Sequence, residues 1–127
     1  MLKTIENYRS AIEAADEHLL NEVLAPQVLI EFPDGGSDTL PPGKASFMLS
    51  QVATIASGVK YGLTADAGNN WHFLGFECRI EGQKLQGIDH LHLDRDGKID
   101  QLVAYMRPIP VVQRFEELIG QRLQPAK

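Results

Sequence analysis

Apolar residues recur three to four positions apart at the start of the chain: Ile5, Tyr8, Ile12, Ala15 and Leu19. That spacing predicts an amphipathic helix over residues 4–15, with Thr4 as its N-cap and Tyr8 on the buried stripe. Leu19, Leu20, Val23 and Leu24 predict a short second helix at about 17–24, capped by Asp16 and ended by Pro26. The pattern then changes to alternation. Val28, Ile30 and Phe32 oppose Leu29 and Glu31, which predicts a strand from Gln27 to Pro33. Turn formers fill Asp34 to Gly43, and Met48, Val52, Ile55 and Ala56 predict a helix over Lys44–Ser57 with Gly58 as its stop. Four strands follow, Val59–Asp66, Trp71–Glu81, Lys84–Asp94 and Lys98–Arg107. Pro108 and Pro110 break the sheet, and Val111, Phe115, Leu118, Ile119 and Leu123 mark a C-terminal helix at about 111–123.

Helices early and an antiparallel meander late give the α+β class. A strongly bent meander with helices on its concave side makes a cone with a dead-end cavity, and such cavities hold small molecules. The whole chain, 1–127, reads as one domain with one core. The strand faces can be read in advance. His72, Leu74, Phe76, Cys78 and Ile80 form the apolar face of their strand; Trp71, Phe73, Gly75, Glu77 and Arg79 form the other. On the next strand Asp89 shares a face with Leu91 and Leu93, opposite Ile88, His90 and His92. The turn Asp94-Arg95-Asp96-Gly97 closes this hairpin.

Charge narrows the partners. The net charge is −5 with a pI of about 5.3, and no basic cluster occurs, so nucleic acid and anionic membrane surfaces are excluded as partners. No apolar run reaches membrane-spanning length and the N-terminus has no apolar signal core, so a cytoplasmic protein is expected. The lone Cys78 suits a reducing compartment and reads as an inert core thiol. Trp71 and Phe73 on the outer sheet face predict a partner surface, read as a homodimer contact.

Several motifs fail on their chemistry. His90 and His92 have metal-pair spacing but lack a third ligand, so no metal is expected. Asp94 to Gly97 resembles the start of a calcium loop, but the twelfth position is Val103 where a glutamate is needed. The glycine-rich loop after Pro33 has no Lys-Ser/Thr ending. The combination that survives is Tyr8 with Asp89. A carboxylate on an apolar strand face meets a pocket or carries a raised pKa. A phenol and a neutral carboxylic acid in an apolar pocket can both donate to one developing oxyanion.

The segments around these two residues resemble the nuclear transport factor 2-like superfamily, and within it the steroid Δ5-3-ketosteroid isomerases. The similarity runs from about Ile5 to Met106. It rests on Asn7 to Asp16, on Leu24 to Val28 with Ile30-Glu31-Phe32-Pro33, and on Ile88-Asp89-His90 with the Gly97-Lys98 turn. The resemblance implies the cystatin-like cone, with Tyr8 and Asp89 as an oxyanion hole. A carboxylic acid held neutral for this purpose is a known device of that isomerase. For such a pocket the expected wall is Phe32, Leu74, Phe76, Leu91, Ala104 and Met106. The superfamily's polyketide cyclase-like (SnoaL-like) members widen the implied reactions to isomerase or lyase chemistry on a steroid, terpenoid or polyketide ketone, without a cofactor. The chain departs from the isomerase at its base, where Phe32 stands. Asp34 or His72 is then the candidate for proton transfer, and the alternatives are a non-catalytic binder or an assembly module.

Overall fold

The computed structural model describes residues 2–123. Helices α1 (Leu2–Ala14) and α2 (Glu17–Val23) lead into β1 (Leu24–Glu31), β2 (Ser37–Leu40) and α3 (Pro42–Ile55). Strands β3 (Ser57–Gly68), β4 (Trp71–Ile80), β5 (Gln83–Leu93) and β6 (Ile99–Arg107) follow, then α4 (Ile109–Leu123). The strands form one sheet in the order β2-β1-β6-β5-β4-β3. The α+β class and the meander from β3 to β6 are as the pattern predicts.

Local chemistry accounts for the boundaries. Ile5, Tyr8, Ala11 and Ile12 are the buried stripe of α1. Asp16 caps α2 by accepting from the Leu19 N–H at 3.0 Å. Thr4 is not the N-cap of α1, which begins earlier; its hydroxyl donates to the Gly97 carbonyl at 2.6 Å and fastens the helix to the β5–β6 turn. In that turn Asp94 Oδ1 accepts from the N–H groups of Asp96 and Lys98, and Gly97 takes a φ of +76°.

Two features depart from the expected outline. Part of the loop after Pro33 is an edge strand, β2, which pairs antiparallel with β1. In turn β1 lies parallel to β6, a contact between distant parts of the chain. Register shifts at three places along the β3–β4 ladder bend that end of the sheet. The bent sheet wraps a main core of α1, α2 and α3 residues against Leu74, Leu91, Leu93, Ile99 and Leu102. A second cluster joins Val111, Val112 and Phe115 of α4 to Cys78, Ile80 and Leu85. Arg114 pairs with Glu81 at 2.7 Å, and Arg122 donates to Gln51 and Thr54, so α4 is also held by polar contacts near both ends. Among the described residues no helix is long and apolar enough to cross a membrane.

Candidate functional site

Between the two clusters lies a cavity of about 350 Å³, at the small end of the range of ligand pockets. Its wall is almost wholly apolar. Met48, Leu49, Val52 and Ala53 come from α3, Phe76 from β4, Leu102, Ala104 and Met106 from β6, and Phe115, Ile119 and Leu123 from α4. The ring of Phe76 crosses its ladder partner Gly87, where a Cβ would lie 2.6 Å from the ring and from the Tyr105 carbonyl oxygen. Only glycine leaves that space.

Three polar groups meet on this wall. Tyr8 arrives on the inner stripe of α1, Asp89 on the inner face of β5, and Tyr61 from β3. The Tyr8 hydroxyl donates to Asp89 Oδ2 at 3.2 Å, and the Tyr61 hydroxyl donates to the same oxygen at 3.0 Å. The tyrosine rings meet edge to face, with centroids 6.3 Å apart. Asp89 is only 6% exposed. Burial pushes its carboxyl up to about 6, and the two phenol hydrogen bonds hold it from rising further. Burial also raises both phenols well above the ordinary tyrosine value, and Asp89 adds to that. The group is thus a cluster of exchangeable hydrogens in apolar surroundings, able to surround one ligand oxygen.

The other residues singled out from the sequence are dispersed. Phe32, Phe76, Ala104 and Met106 line the cavity. Leu74 and Leu91 are fully buried beside it in the main core and do not reach its wall. His72 faces inward and is buried, but it too is absent from the wall. Asp34 stands at the rim, exposed, with its Oδ1 accepting from the Gly36 N–H at 2.8 Å. Cys78 lines the cavity, and burial pushes its thiol up to about 11, which leaves it protonated and unreactive at neutral pH.

Tyr61 and Glu116 were not anticipated on the wall. By alternation Tyr61 falls with Val59, Leu63 and Ala65 on the apolar face of its strand, so the sequence carries its direction but not its reach across β4 to Asp89. Glu116 lies on the apolar stripe of α4, and its place there is a signal that the sequence does carry. The ionisable wall groups are the tyrosines, the thiol and the acids Glu31, Asp34, Asp89 and Glu116; among the described residues no Lys, Arg or His lines the cavity. Among the described residues no three His, Cys, Asp or Glu side chains are grouped to hold a metal ion.

The outer sheet face is separate from the cavity. His90 stacks on Phe73, with centroids 4.1 Å apart and planes at 10°, and Trp71 packs against His90 and His92. His92 Nδ1 lies 2.6 Å from Asp100 Oδ1. Ile88 and Tyr105, paired across the β5–β6 ladder, remain about half exposed on this face.

No protein-family model matches the chain, and no curated protein matches it. Solved structures do. A steroid Δ-isomerase from Pseudomonas aeruginosa superposes with a TM-score of 0.86 at 26% identity, over 96% of this chain and 90% of that one. An uncharacterised bacterial protein with a cystatin-like fold from Silicibacter pomeroyi gives a TM-score of 0.88 at 23% identity, over 94% and 84% of the two chains. A nuclear transport factor 2-like protein of unknown function from Mesorhizobium loti gives 0.73 at 18% identity, over 84% and 90%. The bent sheet closed by helices around a cavity is thus a cystatin-like, nuclear transport factor 2-like fold.

Proposed function

We propose that this protein binds an uncharged small hydrophobic molecule by one oxygen, a cyclic ketone or its enol, and moves a proton on it in an isomerase- or cyclase-type reaction. The observation that carries this reading is the convergence of the Tyr8 and Tyr61 hydroxyls on Asp89 Oδ2 at the wall of a largely apolar cavity. The acids Glu31, Asp34, Asp89 and Glu116 on the wall, with no cation beside them among the described residues, favour an uncharged ligand, because a carboxylate or phosphate would be desolvated beside like charge. In the enolate, negative charge develops on the oxygen that the cluster surrounds, so its hydrogen bonds strengthen toward the transition state. Of the two candidate bases, Asp34 fits this role and His72 does not, since only Asp34 borders the cavity.

A second reading, a binder that turns nothing over, has support in Phe32, an aromatic wall residue with no proton chemistry. The outer face with Ile88 and Tyr105 fits a second copy of the chain. The test of the cavity is a fluorescence titration with a phenolic polycycle, comparing wild type with the Tyr8→Phe, Asp89→Leu double variant. Tight binding that the variant loses supports the oxygen anchor. Equal binding by both proteins, or by neither, refutes it.

A further inference from the structure

Of the residues on the cavity wall, the exposed ones are Asp34 and Gly120; the others are buried or half-buried. Among the described residues the cavity therefore meets solvent between the turn after β1 and the last turns of α4. Hydrogen bonds hold both rims. In the turn, the Phe32 N–H donates to the Gly36 carbonyl at 2.7 Å, the Gly35 N–H to the Phe32 carbonyl at 2.9 Å, and the Gly36 N–H to Asp34 Oδ1 at 2.8 Å. On α4, Arg122 Nη1 donates to Gln51 Oε1 at 3.1 Å and to Thr54 Oγ1 at 2.9 Å, which ties the last turn to α3. With the backbone held on both sides, the side chains at the rim set the width of the opening. Two rows of α4 face the cavity. Phe115, Ile119 and Leu123 form one; Glu116 and Gly120, four residues apart, form the other. The second row ends without a side chain. Glycine is a poor helix former, and nothing structural asks for it at this place. Its φ lies outside the left-handed region, and a Cβ there would meet no packed neighbour within 4 Å. Gly87, hemmed in by Phe76 and a carbonyl, is the opposite case. A side chain at position 120 would lean toward the N-terminus of α4, over Glu116 and the opening.

We propose that Gly120 is the specificity-determining residue of the cavity mouth, leaving room for a ligand longer than the cavity: an uncharged ketone or phenol with its oxygen inside and an apolar tail passing out beside α4. The proposal rests on the reading of Tyr8, Tyr61 and Asp89 as the oxygen's anchor, which fixes the inner end of the ligand. Ile119 and Leu123 border the tail's path, so its methylenes stay in apolar contact as far as the rim. The gap at Gly120 gives up helix stability at a position where only ligand space is gained.

The experiment is a fluorescence titration of 2-naphthol and its 6-methyl, 6-butyl and 6-octyl homologues, whose chains point away from the oxygen. Wild type should bind the longer members more tightly, by about fourfold for each methylene buried, levelling off as the chain clears the mouth. Gly120→Leu should change 2-naphthol binding by less than about twofold and weaken the octyl homologue by about tenfold or more, as for two methylenes shut out. Gln121→Leu puts the same side chain one position off the wall and should leave the whole series as in wild type. Gly120→Ala should raise the Tm by roughly 2–4 °C, since alanine is the better helix former; a lowered Tm would mean that packing requires the glycine, and would overturn the proposal. Wild-type binding with a series that Gly120→Leu leaves unchanged, or weakens equally at every length, overturns the role of Gly120 and leaves the anchor standing. Absence of binding by wild type across the series overturns both readings.

Discussion

A ketone and a phenol of the same ring size should respond to pH in opposite ways in this cavity. The reason is a count of hydrogens. When Asp89 is ionised, the hydroxyl hydrogens of Tyr8 and Tyr61 are both spent on its Oδ2, and neither is free for a ligand. Protonating Asp89 removes that demand and adds a hydrogen. A ketone brings none of its own, so its binding is linked to uptake of a proton; a phenol can donate its own to the ionised carboxylate. With Asp89 titrating at about 6, roughly nine-tenths of the protein is protonated at pH 5 and about one part in a hundred at pH 8. If the ionised form bound no ketone, affinity would fall about ninetyfold across that span. Turning one tyrosine from the carboxylate to the ketone instead forfeits a charge-assisted bond of about 1.5–3 kcal/mol. The loss therefore stays at ten- to hundredfold, on the order set by either route.

Calorimetric titration of 2-decalone and 2-naphthol between pH 5 and 8 reads both affinities. Repeating it in buffers of different ionisation enthalpy counts the protons taken up. The ketone should weaken as pH rises and take up close to one proton near pH 7, and the phenol should do neither. Asp89→Asn keeps an N–H donor without a titration, so it should flatten the ketone profile. A ketone affinity independent of pH in wild type, or an equal fall for both ligands, would refute the reasoning.

Two further outcomes follow from the packing. Gly87→Ala places a methyl 2.6 Å from the Phe76 ring and the Tyr105 carbonyl oxygen; overpacking of this kind costs about 1–3 kcal/mol. Thermal unfolding should show a lowered Tm, and pairing it with Phe76→Leu should recover only part, because the carbonyl cannot yield. Tyr105→Asp puts a charge on the exposed outer face beside Ile88. Sedimentation should show a wild-type dimer and a monomeric variant with unchanged ketone binding; a monomeric wild type would remove the second copy from that face.

Much of this architecture is written locally. Helical spacing places Tyr8 on the buried stripe of α1, and the two-residue period of β4 and β5 places Asp89 inward with Leu91 and Leu93. These are properties of a few neighbouring residues, and side-chain direction in regular elements follows from backbone geometry alone. What the period cannot express is depth. His72, Leu74 and Leu91 share the inner face with Phe76 and Asp89, yet the sheet is filled by helices at one end and hollow under α4 at the other, so only some of that face borders the cavity. The short polar strand β2 is held by its pairing with β1, and the parallel β1–β6 contact joins remote segments; neither leaves a local pattern. Tyr61 on β3 reaches Asp89 on β5 across the intervening strand β4, and Asp34 and Glu116 border one cavity only because α4 packs against the sheet. The sequence by itself determined the elements and which way their side chains face. The tertiary structure alone decided which inward groups share one space, because that depends on the bend of the sheet and on the seat of the last helix.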